Sequence, residues 1–179
     1  MSTGGIDVLV IVDVQNDFVT GALGSEAAAA KMDAIMEKVR SFDGLVLLTQ
    51  DTHDEDYLDT MEGSHLPVAH CVKGTWGWQF TDELTALVSE NGWRVFEKPT
   101  FASKELADYL VVLNAEDPIR SIELIGFCTD ICVISNALMI KGMLPEVSIS
   151  VDESLCAATS DEAQAASLLV LKSNHIDVV

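Results

Sequence analysis

Three reactive side chains follow separate apolar segments of this sequence: Asp13, Lys98 and Cys132. A carboxylate within hydrogen-bond reach of a thiol can remove its proton, and a nearby lysine ammonium stabilises the charged forms of both groups. Cys132 follows an apolar segment and Gly126, in the predicted first turn of a helix, where unpaired N–H groups and the helix dipole favour a thiolate and an oxyanion. The pattern predicts Cys132 as a nucleophile with Asp13 as its base.

A second group of side chains could bind a metal ion. Asp51 and His53 follow the second apolar segment, and Glu62 and His70 come from the long polar loop after it. Imidazole and carboxylate ligands suit Zn²⁺, Mn²⁺ or Fe²⁺. His65 is an alternative ligand in the same loop. Because loop spacing is elastic, the sequence pattern alone leaves the choice of ligands open.

Aromatic residues near these positions could form the wall of a pocket for a flat substrate. Most aromatic residues belong to the core of a protein. Phe18 and Phe101 directly follow the segments that carry Asp13 and Lys98, so these two are expected to line the pocket.

Six short apolar segments are predicted to be the strands that position these groups: residues 6–12, 45–49, 93–97, 122–125, 147–151 and 176–179. Their alternation with helical patterns indicates an α/β fold with a parallel sheet covered on both faces. Residues 25–42 are expected to form one amphipathic helix, and residues 152–154 to end the fifth strand. Residues 159–162 match a capping box for the last helix. In open parallel sheets, ligands bind at the carboxyl ends of strands, where Asp13 and its partners are placed.

Composition limits the class of protein. The chain has 179 residues, most simply one domain over residues 1–179, and a net charge of −19 that argues against nucleic-acid binding. No apolar run could span a bilayer and no basic leader precedes one, so we expect a cytoplasmic enzyme without a membrane partner. The four cysteines, too few for a disulfide scaffold, are expected to be free.

Several segments together resemble the isochorismatase-like cysteine hydrolases, with the nicotinamidases as the most similar branch. The similarity covers nearly the whole chain in order, and it rests on the following stretches: 11–18, 51–53, 70–75, the Lys98 segment and 126–133. It implies a three-layer α/β/α sandwich around a six-stranded parallel sheet, commonly in a homo-oligomer, with a small-molecule amide as substrate. It also implies hydrolysis of nicotinamide to nicotinate and ammonia through a thioester.

The resemblance assigns roles residue by residue. It implies Asp13 as base, Lys98 as third member of the triad, Cys132 as nucleophile, and an oxyanion hole formed by the backbone N–H groups of Cys128 and Cys132. It further implies a cis peptide at Phe127–Cys128. A divalent metal that contacts the pyridine nitrogen would be bound by these residues: Asp51, His53, His70 and, as the fourth ligand, Glu62.

The sequence departs from the nicotinamidase pattern just before His70, where residues 66–69 lack the usual aromatic residue. The substrate ring would then stack on Phe18 alone, or on Trp76 or Tyr57. Two alternatives stay open. One is a metal-free family member that acts on isochorismate, an N-carbamoyl compound or another small amide. The other is a non-catalytic thiol protein for binding or redox sensing, in which Asp13 and Lys98 would be unnecessary.

Overall fold

A computed structural model describes residues 4–179; the first three residues of the predicted 1–179 domain lie outside the described part. Its centre is one parallel sheet in the strand order β3-β2-β1-β4-β5-β6. The strands are β1 (Ile6–Val12), β2 (Leu45–Asp51), β3 (Arg94–Lys98), β4 (Ile119–Phe127), β5 (Ser148–Ala157) and β6 (Asp177–Val178). The predicted six-stranded parallel sheet is confirmed.

Helices cover both faces of the sheet. They are α1 (Asn16–Val19), α2 (Glu26–Ala29), α3 (Met32–Ser41), α4 (Met61–His65), α5 (Asp82–Asn91), α6 (Lys104–Glu116), α7 (Ile134–Met143) and α8 (Asp161–Ser173), with a 3₁₀ turn at Tyr57–Asp59 and a π-helical turn at Thr129–Val133. Residues of α6, α7 and α8 share one buried cluster with the sheet, and residues of α1, α2, α3 and α5 share the other. The fold is therefore the predicted α/β/α sandwich.

The central strand shows why this sequence forms a three-layer structure. Val8 and Val10 of β1 pack into the cluster with α6, α7 and α8, while Leu9 and Ile11 pack into the opposite one. All four side chains are fully buried. A strand that is apolar on both faces is stable only when helices cover both, which is the arrangement of a parallel sheet between two helical layers.

The prediction of a single helix over residues 25–42 is wrong. Ser25 caps α2 by accepting a hydrogen bond from the Ala28 N–H at 3.0 Å, but α2 ends at Ala29 and α3 begins at Met32. The Lys31 N–H bonds to the Ala28 carbonyl, three residues back, which tightens the chain between the two helices.

The fifth strand does not end at residues 152–154 as predicted. In the pairing of β5 with β4, Leu124 lies opposite Val151 and Gly126 lies opposite Cys156, so β5 has extra residues between these two pairs. The irregularity leaves Glu153 and Ser154 exposed. Beyond it, β5 pairs with β4 again up to Ala157. The extension brings the chain after β5 to the same sheet edge as Asp13.

The last helix begins one residue later than the predicted capping box requires. Its N-cap is Ser160, whose hydroxyl oxygen accepts a hydrogen bond from the Ala163 N–H at 3.1 Å. Thr159 instead bonds to the carboxylate of Asp130, through its own N–H at 3.0 Å and through its hydroxyl. Asp130 therefore ties the segment after β5 to the turn that carries Cys132.

The predicted helix around Cys132 is present but begins differently. Its first residues, Thr129–Val133, form a π-helical turn, and α7 continues from Ile134 to Met143. The polar loop after β2 is also more ordered than its lack of periodicity suggested, because it contains the 3₁₀ turn and α4. Within residues 4–179, no helix combines the length and the hydropathy needed to cross a membrane.

Candidate active site

Asp13, Lys98 and Cys132 lie together at the carboxyl edge of the sheet, as predicted. The Lys98 Nζ is 2.7 Å from Asp13 Oδ2 and 3.4 Å from Cys132 Sγ, and all three residues are buried. Thr49 donates a hydrogen bond to Asp13 Oδ1 at 2.7 Å. Asp13 has a φ of +49°, a left-handed conformation that is uncommon outside glycine, asparagine and aspartate and is often found at functional sites.

The protonation of this cluster follows from its burial. Burial raises the pKa of the Cys132 thiol well above its usual value; the Asp13 carboxylate raises it further and Lys98 opposes the rise. Burial likewise raises the pKa of Asp13, against the effect of Lys98. Burial by itself would lower the pKa of Lys98, but its interactions with the acidic groups of Asp13, Cys132 and Asp51 outweigh this effect, so the pKa of Lys98 is raised.

The position of Cys132 at the start of a helix favours its thiolate, whereas burial and the Asp13 carboxylate raise the pKa of the thiol. A nucleophilic Cys132 would therefore need a base. Asp13, whose proton affinity is also raised by burial, lies in the same cluster.

The four predicted metal ligands also converge. The Nε2 atoms of His53 and His70 lie 3.1 and 3.4 Å from Asp51 Oδ2, and 3.7 and 3.8 Å from Glu62 Oε1. Asp51, His53 and His70 are buried, and Glu62 is partly buried. The end of β2 and the loop after it thus bring two imidazoles and two carboxylates together, and the donor atoms of Asp51, His53 and His70 all lie within 4.8 Å of one another.

The distances of 3.1 and 3.4 Å from Asp51 Oδ2 to the two histidines fit ligands of a shared divalent cation, whereas the Glu62 distances of 3.7 and 3.8 Å are longer. Ligands about 2.1 Å from a shared ion lie about 3.0 Å apart in octahedral and about 3.4 Å apart in tetrahedral geometry. The His70 Nδ1 pairs with the Val68 carbonyl at 2.9 Å, which directs Nε2 of that ring to the other donors. The burial and polarity of the donors, with this second contact, are typical of a metal site.

Asp51 joins the two groups of residues. Its Oδ1 accepts a hydrogen bond from Lys98 Nζ at 3.1 Å, while its Oδ2 faces His53 and His70. Burial by itself would raise the pKa of Asp51, but the hydrogen bonds from the two histidines and the charge of Lys98 lower it. Asp51 is therefore ionised, with one oxygen for each group.

A cavity of about 820 Å³ opens above both groups. Cys132 and Cys128 line it together with Asp51, Glu62 and His70. Phe18 and Phe101 also line the cavity, in agreement with their predicted positions, and the Phe18 ring lies edge-on to His70 with centroids 5.7 Å apart. Trp76 is not among the residues that line the cavity, and 56% of its surface is exposed, so its role as a substrate contact stays a prediction.

Tyr57, the alternative for ring stacking, and His65, the alternative metal ligand, have other contacts in the structure. Tyr57 is buried behind the histidines, with its ring centroid 4.7 Å from that of His53 and 4.9 Å from that of His70, so it supports the ligands rather than the cavity wall. His65 lines the cavity, but its Nδ1 lies 2.9 Å from the Met61 carbonyl. Glu62, rather than His65, lies close to the Nε2 atoms of His53 and His70.

The turn around Cys128 borders the cavity. The peptide bond between Phe127 and Cys128 is cis, as the resemblance implied. Cys128 lines the cavity, and among residues 4–179 no acceptor is assigned to its backbone N–H. All four cysteines, including Cys128 and Cys132, are free thiols.

The polar turn after Asp13 contains two positioning residues that the sequence analysis did not assign. The Gln15 side chain accepts a hydrogen bond from the Asp51 N–H at 2.8 Å and donates one to the Asp51 carbonyl at 2.9 Å. Asp17 accepts a hydrogen bond from the Cys71 N–H at 2.7 Å, next to His70. Their position directly after a strand with a candidate base was the available signal.

Asn136 was also missed. It is buried one helical turn after Cys132, and its Nδ2 donates to the Cys132 carbonyl at 2.8 Å and to the Phe101 carbonyl at 3.1 Å. Its Oδ1 accepts a hydrogen bond from the Ser103 N–H at 2.9 Å. Asn136 thus fixes the Cys132 turn to the loop after Lys98, and its i+4 spacing from Cys132 was the signal in the sequence.

Comparison with family models gives a match to the isochorismatase domain over residues 7–179. Comparison with curated proteins gives no match. The sequence match covers both groups of residues described above.

Solved structures provide a further comparison. The chain is similar to the nicotinamidase/pyrazinamidase of Bacillus subtilis, with 25% identity, a TM-score of 0.84, and coverage of 97% of this chain and 99% of that one. It is similar to a protein of L. infantum in complex with nicotinate, with 26% identity, a TM-score of 0.81, and coverage of 98% and 92%. The pyrazinamidase of Pyrococcus horikoshii in complex with zinc has the same fold, with 22% identity, a TM-score of 0.78, and coverage of 97% and 98%.

Proposed function

The chain belongs to the isochorismatase domain family, and from this premise we propose that it is a cysteine-dependent amidase that hydrolyses nicotinamide to nicotinate and ammonia. Family membership together with the nicotinamidase structures that share its fold identifies it as a hydrolase that acts on amide C–N bonds. The finer proposal is carried by one observation. The cavity lined by Cys132, next to Asp13 and Lys98, is also lined by members of a four-residue ligand cluster.

The chemistry would begin with the buried thiol. Asp13 takes the Cys132 proton, and the thiolate attacks the amide carbonyl carbon. The Lys98 ammonium, 2.7 Å from Asp13 and 3.4 Å from the sulfur, compensates the negative charge as it moves from one atom to the other. The backbone N–H groups of Cys128 and Cys132 would donate to the oxyanion.

Collapse of the tetrahedral adduct breaks the C–N bond, and Asp13 returns the proton to the departing nitrogen, which leaves as ammonia. Water then attacks the thioester, Asp13 accepts a proton from that water, and nicotinate departs as the sulfur regains its proton. Each proton removed by Asp13 is thus returned, and the net reaction consumes one water.

Asp51, His53, Glu62 and His70 would hold a divalent cation, with Zn²⁺, Mn²⁺ and Fe²⁺ as candidates. When bound, the cation would supply a Lewis acid for the pyridine nitrogen of the substrate. The Phe18 ring, which lines the cavity beside His70, would contact the face or edge of the pyridine ring.

The first test measures ammonia release from nicotinamide by wild type and by Cys132→Ala. We expect the substitution to lower turnover by roughly 10⁴-fold or more, because it removes the nucleophile. Cys156→Ala is the matched control: this thiol is buried opposite Gly126, away from the cavity, and its removal should leave turnover near the wild-type value. Undiminished ammonia release by Cys132→Ala would contradict the proposal.

A second measurement separates this function from that of a metal-free family member. The protein is treated with a chelator, and its metal content, melting temperature and turnover are followed as Zn²⁺, Mn²⁺ or Fe²⁺ is added. We expect one of these ions to raise the melting temperature and restore turnover, since binding to the folded state stabilises it. If neither the melting temperature nor turnover changes when chelator or metal is added, the metal-dependent proposal is excluded.

A further inference from the structure

The cavity extends to both sides of the nucleophile. In the sheet order, β2 with Asp51 lies on one side of β1 and β4, and β5 lies on the other. Neighbouring strands are about 4.8 Å apart. The ligand cluster at the end of β2 and the segment after β5 are therefore on opposite sides of the Cys132 turn, which follows β4.

We call the second side the β5-side bay; it is lined by Leu23, Gly24, Ser25, Ala28, Ile131, Ala157, Ala158 and Thr159. The segment from Leu23 to Ala28 reaches it because α2 packs against β5. After its irregular segment, β5 resumes pairing and ends at Ala157. Because Ala157 lines the bay, the bay depends on the continuation of this strand beyond residue 154.

The bay is chemically different from the ligand side. It has no charged lining residue. Of its two hydroxyl groups, that of Thr159 donates to the Asp130 carboxylate, whereas the oxygen of Ser25 accepts the hydrogen bond that caps α2. Apart from the Ser25 O–H, which can still donate, a group placed there would meet alkyl surface. A small alkyl substituent fits this surface better than a polar or charged group.

The geometry of a carbonyl group decides which part of a substrate would enter the bay. Its carbon carries three substituents about 120° apart: for the proposed substrates, the ring, the oxygen and the amide nitrogen. With the ring toward the ligand cluster and the oxygen at the Cys128 and Cys132 N–H groups, the nitrogen is directed away from the ring. We propose that the bay receives an alkyl group on that nitrogen, and that secondary N-alkyl carboxamides are substrates.

This inference rests on the proposed function and extends it to the leaving group. The thiolate forms a C–S bond, the C–N bond breaks, and Asp13 gives its proton to the nitrogen, so a primary alkylamine leaves instead of ammonia. Water then cleaves the thioester to the same carboxylic acid. No oxidant, reductant or further co-reactant is needed.

The test compares nicotinamide with N-propylnicotinamide, which yield the same acid but different amines. We expect wild type to release propylamine with a kcat/KM at least about a tenth of that for ammonia release. In Cys132→Ala, calorimetry should show N-propylnicotinamide binding more tightly than nicotinamide, by roughly fourfold for each methylene that becomes buried.

A pair of variants locates the effect. Ala158→Leu fills the bay and should lower the ratio of the two kcat/KM values, N-propylnicotinamide over nicotinamide, by about tenfold or more. Ala27→Leu adds the same side chain to an exposed position of α2 that does not line the cavity, and should leave the ratio unchanged.

The outcomes separate the two proposals. Release of ammonia but no propylamine would overturn the bay assignment and leave the amidase proposal standing, as would equal effects of the two leucine variants on the ratio. If neither amide is hydrolysed, the amidase proposal fails, and the bay assignment is tested by the affinities of the two amides for Cys132→Ala. Tighter binding of nicotinamide than of N-propylnicotinamide would then overturn the bay assignment.

Discussion

The cysteine group and the ligand cluster are built in different ways. Asp13 and Lys98 are attached to the ends of hydrogen-bonded strands, and Cys132 lies in the turn that follows β4. In the ligand cluster only Asp51 belongs to a strand, while His53, Glu62 and His70 come from the loop after β2. A side chain at a strand end is positioned by the sheet, whereas a side chain on a loop needs separate hydrogen bonds to hold it.

The turn after Asp13 supplies hydrogen bonds to both Asp51 and the loop. Gln15 holds the backbone of Asp51, and Asp17 holds the backbone beside His70. The same short turn thus follows the candidate base and supports the ligands. Asp51 connects the two groups directly, since one of its oxygens faces Lys98 and the other faces the histidines. Separate disruption of each group tests whether they act independently.

Among the variants that separate the two groups, the largest effect is expected from Asp13→Asn. The amide keeps the shape of the side chain but cannot take the Cys132 proton, so turnover of nicotinamide should fall by about 10²–10⁴-fold. Because the substituted side chain would not touch the ligand cluster, metal binding measured by calorimetry should stay near the wild-type value. Loss of metal binding in this variant would show that the two groups form one unit through Lys98 and Asp51.

A smaller effect, on metal affinity rather than on turnover, is expected from Gln15→Leu. This substitution removes two hydrogen bonds to the Asp51 backbone. Metal affinity should therefore fall by about 10–100-fold, as it does when residues that hold metal ligands in place are substituted. The matched control is Gln79→Leu, at an exposed position, which should leave affinity unchanged. Unaltered metal affinity in Gln15→Leu would mean that the loop positions Asp51 without this residue.

The smallest effect is expected at the other edge of the sheet, where neither group is involved. Asp7 at the start of β1 accepts hydrogen bonds from Arg120 at 2.8 Å and Ser121 at 2.6 Å, and these lower its pKa below the usual 3.8. A carboxylate with a lowered pKa stabilises the fold above its usual pKa, and that stabilisation is lost as pH falls through the lowered value.

Asp7→Asn should therefore lower the melting temperature at pH 7 by about 4 °C or less, and the difference from wild type should shrink below pH 4. Thermal unfolding at pH 7, 5 and 3 measures this, with nicotinamide turnover at pH 7 as the control for the distant site. A difference that grew toward acid pH would contradict the assignment to the Asp7 carboxylate.

Much of the site could be predicted from residue types at strand ends. Asp13, Lys98 and Cys132 were found because a parallel sheet brings the carboxyl ends of its strands to one edge. The full burial that raises the pKa of Cys132 could not be inferred from its position at a helix start. The exposure of Trp76 likewise could not be inferred from the sequence.

The sequence by itself determined the fold class and the reactive residues, because apolar periodicity and polar strand ends are local properties. Only the tertiary structure decided how the loop ligands meet, how Gln15, Asp17 and Asn136 hold them and the cysteine turn, and how the extended β5 forms the far side of the cavity. Apart from the contact of Asn136 with Cys132 four residues earlier, these features depend on contacts between residues distant in the chain, and such contacts leave no fixed spacing in the sequence.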